Sequence, residues 1–294
     1  MDKKAVIVIL NYNDKYTTGS LISKIKDYEA LDRIIVVDNA STDNSFDYLK
    51  QVYGSLENID VIKALINGGY AKGNNLGIRH AIYNYDPDYI FVANPDVEIS
   101  EKTIINMCSA MEMRQEYAVL APIVHEGFNV WKLPGFIGMI ESLFLIWFNI
   151  DKLMIKKKLI ESESRIETVG VVEGSFFCIR RTDYEAVNGL DERTFLYYEE
   201  NILAKRIEAT GKKVGVMTRE RYHHYHSVSI KKAFKSSKRR AFPNFYKSFR
   251  IYNKYYLKTN FIQDVLFMIC YGIAYIERFI YDVIKTVISV FKRD

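Results

Sequence analysis

The chain has 294 residues, 49% of them hydrophobic and 26% charged, with a formal net charge of +5. That composition excludes a disordered protein, and the charge is too small to indicate nucleic acid on its own. The cysteines Cys108, Cys178 and Cys270 are far apart and form no C-x-x-C pair. This excludes a disulfide framework and a thiolate zinc site, and suits reduced thiols in the cytoplasm.

The first apolar run, "AVIVIL" (5–10), is too short for a signal peptide and meets polar residues at once, so it reads as a strand. "RIIVVD" (33–38), "IDVIKA" (59–64) and "YIFVAN" (89–94) repeat the pattern, with helix-like segments near 15–30, 44–53, 70–84 and 101–113. Near-continuous apolar strands alternating with helices predict an α/β fold, a mostly parallel Rossmann-like sheet covered on both faces. Ligands on such sheets bind beyond the carboxyl ends of the strands. Polar residues gather there: Asn11 and Asn13 after the first strand, "DNASTD" after the second, "NGGYAKGN" after the third, Asn94-Pro95-Asp96 after the fourth. Proline lacks an N–H for a continuing ladder, so the fourth strand stops near Asn94 and Asp96 protrudes.

Residues 128–160 form an apolar and aromatic insertion ending in lysines. "VVEGSFFCIRR" (171–181) reads as a strand, 189–213 as a helix with a lead-in and Gly211 as its C-cap, and 213–229 as extended. A basic run, with six Lys or Arg in residues 231–240, precedes a helical region from about Asn244 to Arg293. The expected division is a catalytic domain over 1–230 and a basic, amphipathic helical region over 231–294.

Several stretches carry chemistry. Asp38 lies at a strand tip, where a carboxylate can accept donors from a nucleoside, while Ser41 to Asn44 suit a helix N-cap. Gly69, Gly73 and Gly77 share one helix face, either for tight packing on the sheet or for a diphosphate at the helix start. Glu199 and Glu200 open a helix after Phe195, Tyr197 and Tyr198. Aromatic surroundings desolvate a glutamate and move its pKa toward the range of a general base. His223, His224 and His226 cluster in an extended segment. One of them beside a carboxylate and a diphosphate suits Mn²⁺ or Mg²⁺, and nothing supports a closed zinc site.

In order and spacing, "VILNYN", "VVDNASTDNS", "NGGYAKGNNLGI", "NPDVEI", "VEGSFFCIRR" and "FLYYEENILAKR" resemble the family 2 glycosyltransferases, most of all the rhamnosyltransferase-like branch of bacterial polysaccharide biosynthesis. The resemblance covers about residues 4–230. It implies a GT-A fold, a nucleotide-diphosphate sugar donor, Mn²⁺ or Mg²⁺, inversion at the anomeric carbon, and a saccharide or polyprenyl-linked saccharide acceptor. It also implies site residues: Asn11, Asn13, Asp38, Asn67, Gly69, Lys72, Asn75 and Asn94 for the nucleotide-sugar, Asp96 and His224 for the metal, and Glu200 or Glu199 as base. The other readings are a non-catalytic membrane-associated nucleotide-sugar-binding protein and a sugar nucleotidyltransferase; the latter lacks its basic glycine-rich loop after "VILNYN".

The longest charge-free stretch of the tail, Val265 to Ile276, is shorter than the roughly 20 residues of a spanning helix. The tail and the 128–160 segment are instead expected to meet an anionic membrane surface, placing the protein peripherally on the inner face of the cell membrane. No nucleic-acid partner is expected, and the amphipathic tail offers a surface for a homodimer.

Overall fold

The computed structural model describes residues 4–125, 127–225 and 238–291. Its first half follows the expected alternation. Strands β1 (Ala5–Asn11), β2 (Arg33–Asp38), β3 (Ile59–Lys63) and β4 (Tyr89–Ala93) are joined by helices α1 (Lys15–Ile25), α2 (Ser45–Tyr53) and α3 (Gly69–Tyr85). They lie parallel in the order β3-β2-β1-β4. These strands read as unbroken apolar runs because both faces are covered. Val6, Val8, Ile35 and Val37 pack with Ala71, Ile78 and Ala81 of α3, while Ile7, Ile9, Ile34 and Val36 pack with Leu21, Ile22 and Leu49 on the other side.

The second half turns the sheet mixed. It contains β5 (Val97–Glu98), α4 (Glu101–Met113), β6 (Tyr117–Val124), β7 (Val130–Trp131), α5 (Phe136–Leu143), α6 (Leu145–Glu161) and β8 (Ile166–Val169). Next come β9 (Val171–Val172), β10 (Phe176–Arg180), α7 (Arg181–Ala186), α8 (Glu199–Ala209) and β11 (Lys213–His224). Strand β10 runs antiparallel between β4 and β6, and β11 runs parallel to β6. No strand was expected over 117–124, where Pro122 interrupts the pattern. Pro122 faces Met217 just where the ladder to β11 becomes irregular, so its missing N–H falls at a bulge.

The strand expected over 171–181 is broken. β9 leaves the main sheet to pair with β7, and the main sheet resumes only at Phe176. Glycine is required at the break, since a Cβ on Gly174 would lie 2.8 Å from both Glu200 Oε1 and Tyr70 Oη. The tail is also not one helix. Helix α9 (Lys238–Tyr252) passes into a π-helical turn (Asn253–Leu257), and a second helix, α10 (Phe261–Phe291), follows. Asn260 and Gln263 each accept the other's backbone N–H at 3.0 Å, a reciprocal cap that starts α10 afresh.

Helix α10 is inverted in polarity. Ile262, Ile269 and Ile276 are 76%, 57% and 59% exposed, whereas Arg278 is buried. The Arg278 guanidinium sits 3.7 Å from the centre of the Phe242 ring and donates to the Leu143 and Ala274 carbonyls. No helix among the described residues is long and apolar enough to cross a membrane.

Candidate active site

The ends of β1 and β2 form a tightly bonded rim. Asn11 donates to Asp38 Oδ2 at 2.9 Å, and the Ser41 N–H donates to Asp38 Oδ1 at 2.9 Å. Asp38 is completely buried, so both oxygens of the expected nucleoside-reading carboxylate are held by the protein. Asn13, at φ 53°, accepts the Thr42 N–H at 2.8 Å, and Ser41 Oγ accepts from Asn11 and Asn13. Ser41 and Thr42 therefore bind across to Asn11 and Asn13 rather than capping α2, where Asn44 makes no side-chain cap and Asp43 Oδ1 accepts the Ser45 N–H at 2.9 Å.

The glycine-rich start of α3 follows the packing reading. A Cβ on Gly73 would strike Leu10, and one on Gly77 would strike Val8 and Val37. Gly69 has φ +83°, and its Cβ would lie 2.0 Å from the Phe195 carbonyl oxygen. The first N–H groups of the helix are engaged as well, Gly69 with Asn67 Oδ1 at 3.0 Å and Tyr70 with Phe195 O at 2.9 Å. The side of Gly69 that a Cβ would occupy is thus taken by the Phe195 backbone. Asn75 is a brace too, since its side chain bonds Leu190, Glu192 and Tyr184 at 2.7–3.0 Å. Lys72 stays exposed in the first turn of α3. Asn39, not singled out in the sequence, donates to Asn67 Oδ1 and the Gly69 carbonyl. Its own buried Oδ1 has no partner among the described residues.

Strand β4 ends at Ala93, as Pro95 requires, and the Asn94 N–H turns to the Ser175 carbonyl at 2.8 Å. β5 then pairs with the end of β11, setting Val97 opposite His224. This register brings Asp96 and His224 together, with Nε2 3.4 Å from Asp96 Oδ1 and both residues buried. Nδ1 of the same imidazole lies 3.3 Å from Glu173 Oε1. Burial alone would lower the pKa of His224, but its bonds to Asp96 and Glu173 outweigh that and raise it to about 9. His223 faces the other way, stacked on His125, and His226 lies outside the described residues.

An oxygen and an imidazole nitrogen, side by side on fixed strand ends, are a donor set for Mn²⁺ or Mg²⁺. Among the described residues no group of three or more acidic, His or Cys side chains is arranged to hold a metal. Among the described residues the candidate donors brought together at this point are therefore Asp96 and His224.

The glutamates enter on a strained turn. Tyr197 and Tyr198 have φ 72° and 73°, a conformation that costs a non-glycine residue about 1–3 kcal/mol each. Tyr197 stacks on Phe245 with ring centres 3.8 Å apart, Tyr198 packs edge-on against Phe249, and Ser248 donates to the Leu196 carbonyl at 3.0 Å. Helix α9 thus holds the turn. Beyond it Glu199 is buried with Oε2 unpartnered among the described residues, while Glu200 Oε1 accepts the Gly174 N–H at 3.1 Å. Both line a small, mostly apolar void with Tyr70, Phe177 and Leu203. Desolvation there, with the neighbouring charge of Glu200, pushes Glu199 well above the usual carboxylate range. Desolvation likewise raises Glu200, to about 7.

These pieces form one connected site. Tyr70 Oη donates to the Gly174 carbonyl, Glu200 receives the Gly174 N–H, and the adjacent Glu173 reaches His224 and through it Asp96. By sequence Glu173 lies within the strand expected over 171–181 and carries no expected role. The Gly-Ser that follows it, a pause inside an apolar run, was the signal.

The profile of glycosyl transferase family 2 matches residues 6–187. The chain is 28% identical over 197 residues to the low-salt glycan biosynthesis hexosyltransferase of Haloferax volcanii, covering 66% of this chain and 58% of that protein. It is 27% identical over 207 residues to the N-acetylglucosaminyl-diphospho-decaprenol L-rhamnosyltransferase of Mycobacterium tuberculosis, covering 65% of this chain and 66% of that one. The matches thus span less than two thirds of either relative. Among solved structures, the mannosyltransferase of Pyrobaculum calidifontis in complex with GDP-Man and Mn²⁺ superposes with a TM-score of 0.58 at 12% identity, over 84% of this chain and 63% of that one. That likeness shows the GT-A fold, and with the profile spanning more than half the sequence, the chain belongs to glycosyl transferase family 2.

Proposed function

We propose that the protein is an inverting glycosyltransferase. It moves a hexose or deoxyhexose from a nucleotide-diphosphate sugar to a saccharide acceptor carried on a polyprenyl lipid, in cell-surface polysaccharide synthesis. The observation that carries the reading is Glu200, a glutamate whose pKa is raised to about 7 and which is tied through Gly174 and Glu173 to the Asp96–His224 pair. A single displacement needs a base for the acceptor hydroxyl, and a carboxylate near neutrality both takes and releases that proton at cellular pH. Glu200 holds this role. Glu199 lies deeper, buried behind it, with its pKa pushed well up by desolvation and by the charge of Glu200.

A divalent cation held by Asp96 and His224 would offset the charge of the departing diphosphate. On the donor side, Asn13, Asn39, Asn67 and Lys72 supply hydrogen bonds and positive charge at the strand ends. The relatives' names support a sugar acceptor, and the decaprenol-linked substrate in one of them supports a lipid carrier. Incubation with a panel of nucleotide-diphosphate sugars and Mn²⁺ should give one donor that raises the melting temperature and is slowly hydrolysed. A panel in which no donor binds or turns over overturns the reading.

A lipid-borne acceptor requires the enzyme to reach the bilayer. The exposed apolar side of α10, with exposed Trp147, Leu153 and Met154 of α6, is suited to the headgroup boundary. Exposed Lys157 and Lys158 add charge attractive to anionic lipid. The protein should therefore sediment with anionic vesicles at low salt and less with neutral ones; a protein left in the supernatant with both is not peripheral.

A further inference from the structure

The Glu173 backbone is fixed on both sides. Its N–H donates to the Asn129 carbonyl at 2.8 Å, and the next residue, Gly174, is held by Glu200 and Tyr70. Its side chain is 24% exposed and extends to His224 Nδ1 at 3.3 Å. The opposite nitrogen, Nε2, faces Asp96 at 3.4 Å. One imidazole is thus claimed by two carboxylates on opposite edges. A cation between Asp96 and His224 takes the Nε2 lone pair, so the ring proton must reside on Nδ1, where Glu173 can accept it. Glu173 cannot join the same coordination sphere, because the two ring nitrogens point apart. A carboxylate bonded to the far nitrogen of a ligating histidine sets tautomer and ring plane and raises ligand basicity.

We propose that Glu173 is a positioning residue for the metal site, fixing His224 as the Nδ1–H tautomer with Nε2 directed at the cation. The proposal rests on the assignment of Asp96 and His224 as metal ligands. A purely structural ion pair would make the same contact, but its loss would lower the melting temperature without changing the affinity for a cation.

The test is titration of the full chain with Mn²⁺, followed by the electron paramagnetic resonance of the free ion, with and without saturating UDP or GDP. Glu173→Ala should bind Mn²⁺ about 10- to 100-fold more weakly than the unaltered chain. Glu173→Gln, whose amide oxygen still accepts the Nδ1–H, should stay within a few-fold. The Mn²⁺ concentration for half-maximal transfer should rise in Glu173→Ala while the rate at saturating Mn²⁺ is largely kept. Unchanged Mn²⁺ affinity in Glu173→Ala, with binding lost in Asp96→Ala, overturns the proposal. Equal weakening in the Gln and Ala variants also overturns it, because charge and not tautomer control would then be responsible. Unchanged binding in Asp96→Ala overturns the metal-site assignment itself. Should Glu173→Ala fail to fold, Glu173→Met, similar in size and without an acceptor for the Nδ1–H, takes its place with the same expected loss, and unchanged Mn²⁺ affinity there overturns the proposal.

Discussion

Glu200→Gln is expected to lower kcat by about 10²- to 10⁴-fold, the contribution of a general base, with little change in donor affinity. In the unaltered enzyme kcat/KM should rise with pH and level off above about 7, as Glu200 loses its proton. Stability should move the other way. The folded-state pKa of Glu200 lies above its ordinary 4.5, so this group's contribution is complete below 4.5 and lost as pH rises through about 7. A glutamine has no charge to bury. The variant should therefore be more stable than the parent at pH 8, by about 1–3 kcal/mol, measured as a higher denaturant midpoint. Glu199→Gln should keep most of the activity, because Glu199 is buried behind Glu200 and its raised pKa already favours the uncharged form that glutamine mimics. A reversal, with Glu199→Gln inactive and Glu200→Gln active, would move the base to Glu199.

Asp96→Ala is expected to abolish metal-dependent transfer, by about 10³-fold or more, with the fold intact by circular dichroism. The change removes one of the two proposed donors, Asp96 and His224, that lie side by side among the described residues. Backbone contacts at the same point are preserved, since the Tyr225 N–H bonds the Asp96 carbonyl rather than its side chain. Full transfer in this variant would remove the carboxylate from the site.

Much of this was legible because apolar runs and polar strand ends are local signals. The four parallel strands and the stop before Pro95 follow from residue type and order, whereas only the family resemblance names Asp96 and His224 together. What was not legible depends on distant chain segments. Three glycines on one helix face cannot say whether a ligand or the sheet fills the space; Leu10, Val8, Val37 and the Phe195 carbonyl fill it. The burial of Asp38 and the bracing role of Asn75 are set by partners up to 117 residues away. The different settings of Glu199 and Glu200 depend on one N–H, that of Gly174, placed by a break inside what read as a continuous strand. The point at which the tail breaks into two helices was not legible, because Asn260 and Gln263 cap each other without glycine or proline.

The stacking of Tyr197 on Phe245 makes the catalytic turn and α9 a single inherited unit. The family profile ends at residue 187, ahead of both partners in that stack. A chimera that borrows its tail from a relative must therefore borrow residues 195–200 with it, or the incoming helix will meet tyrosines it did not evolve to restrain.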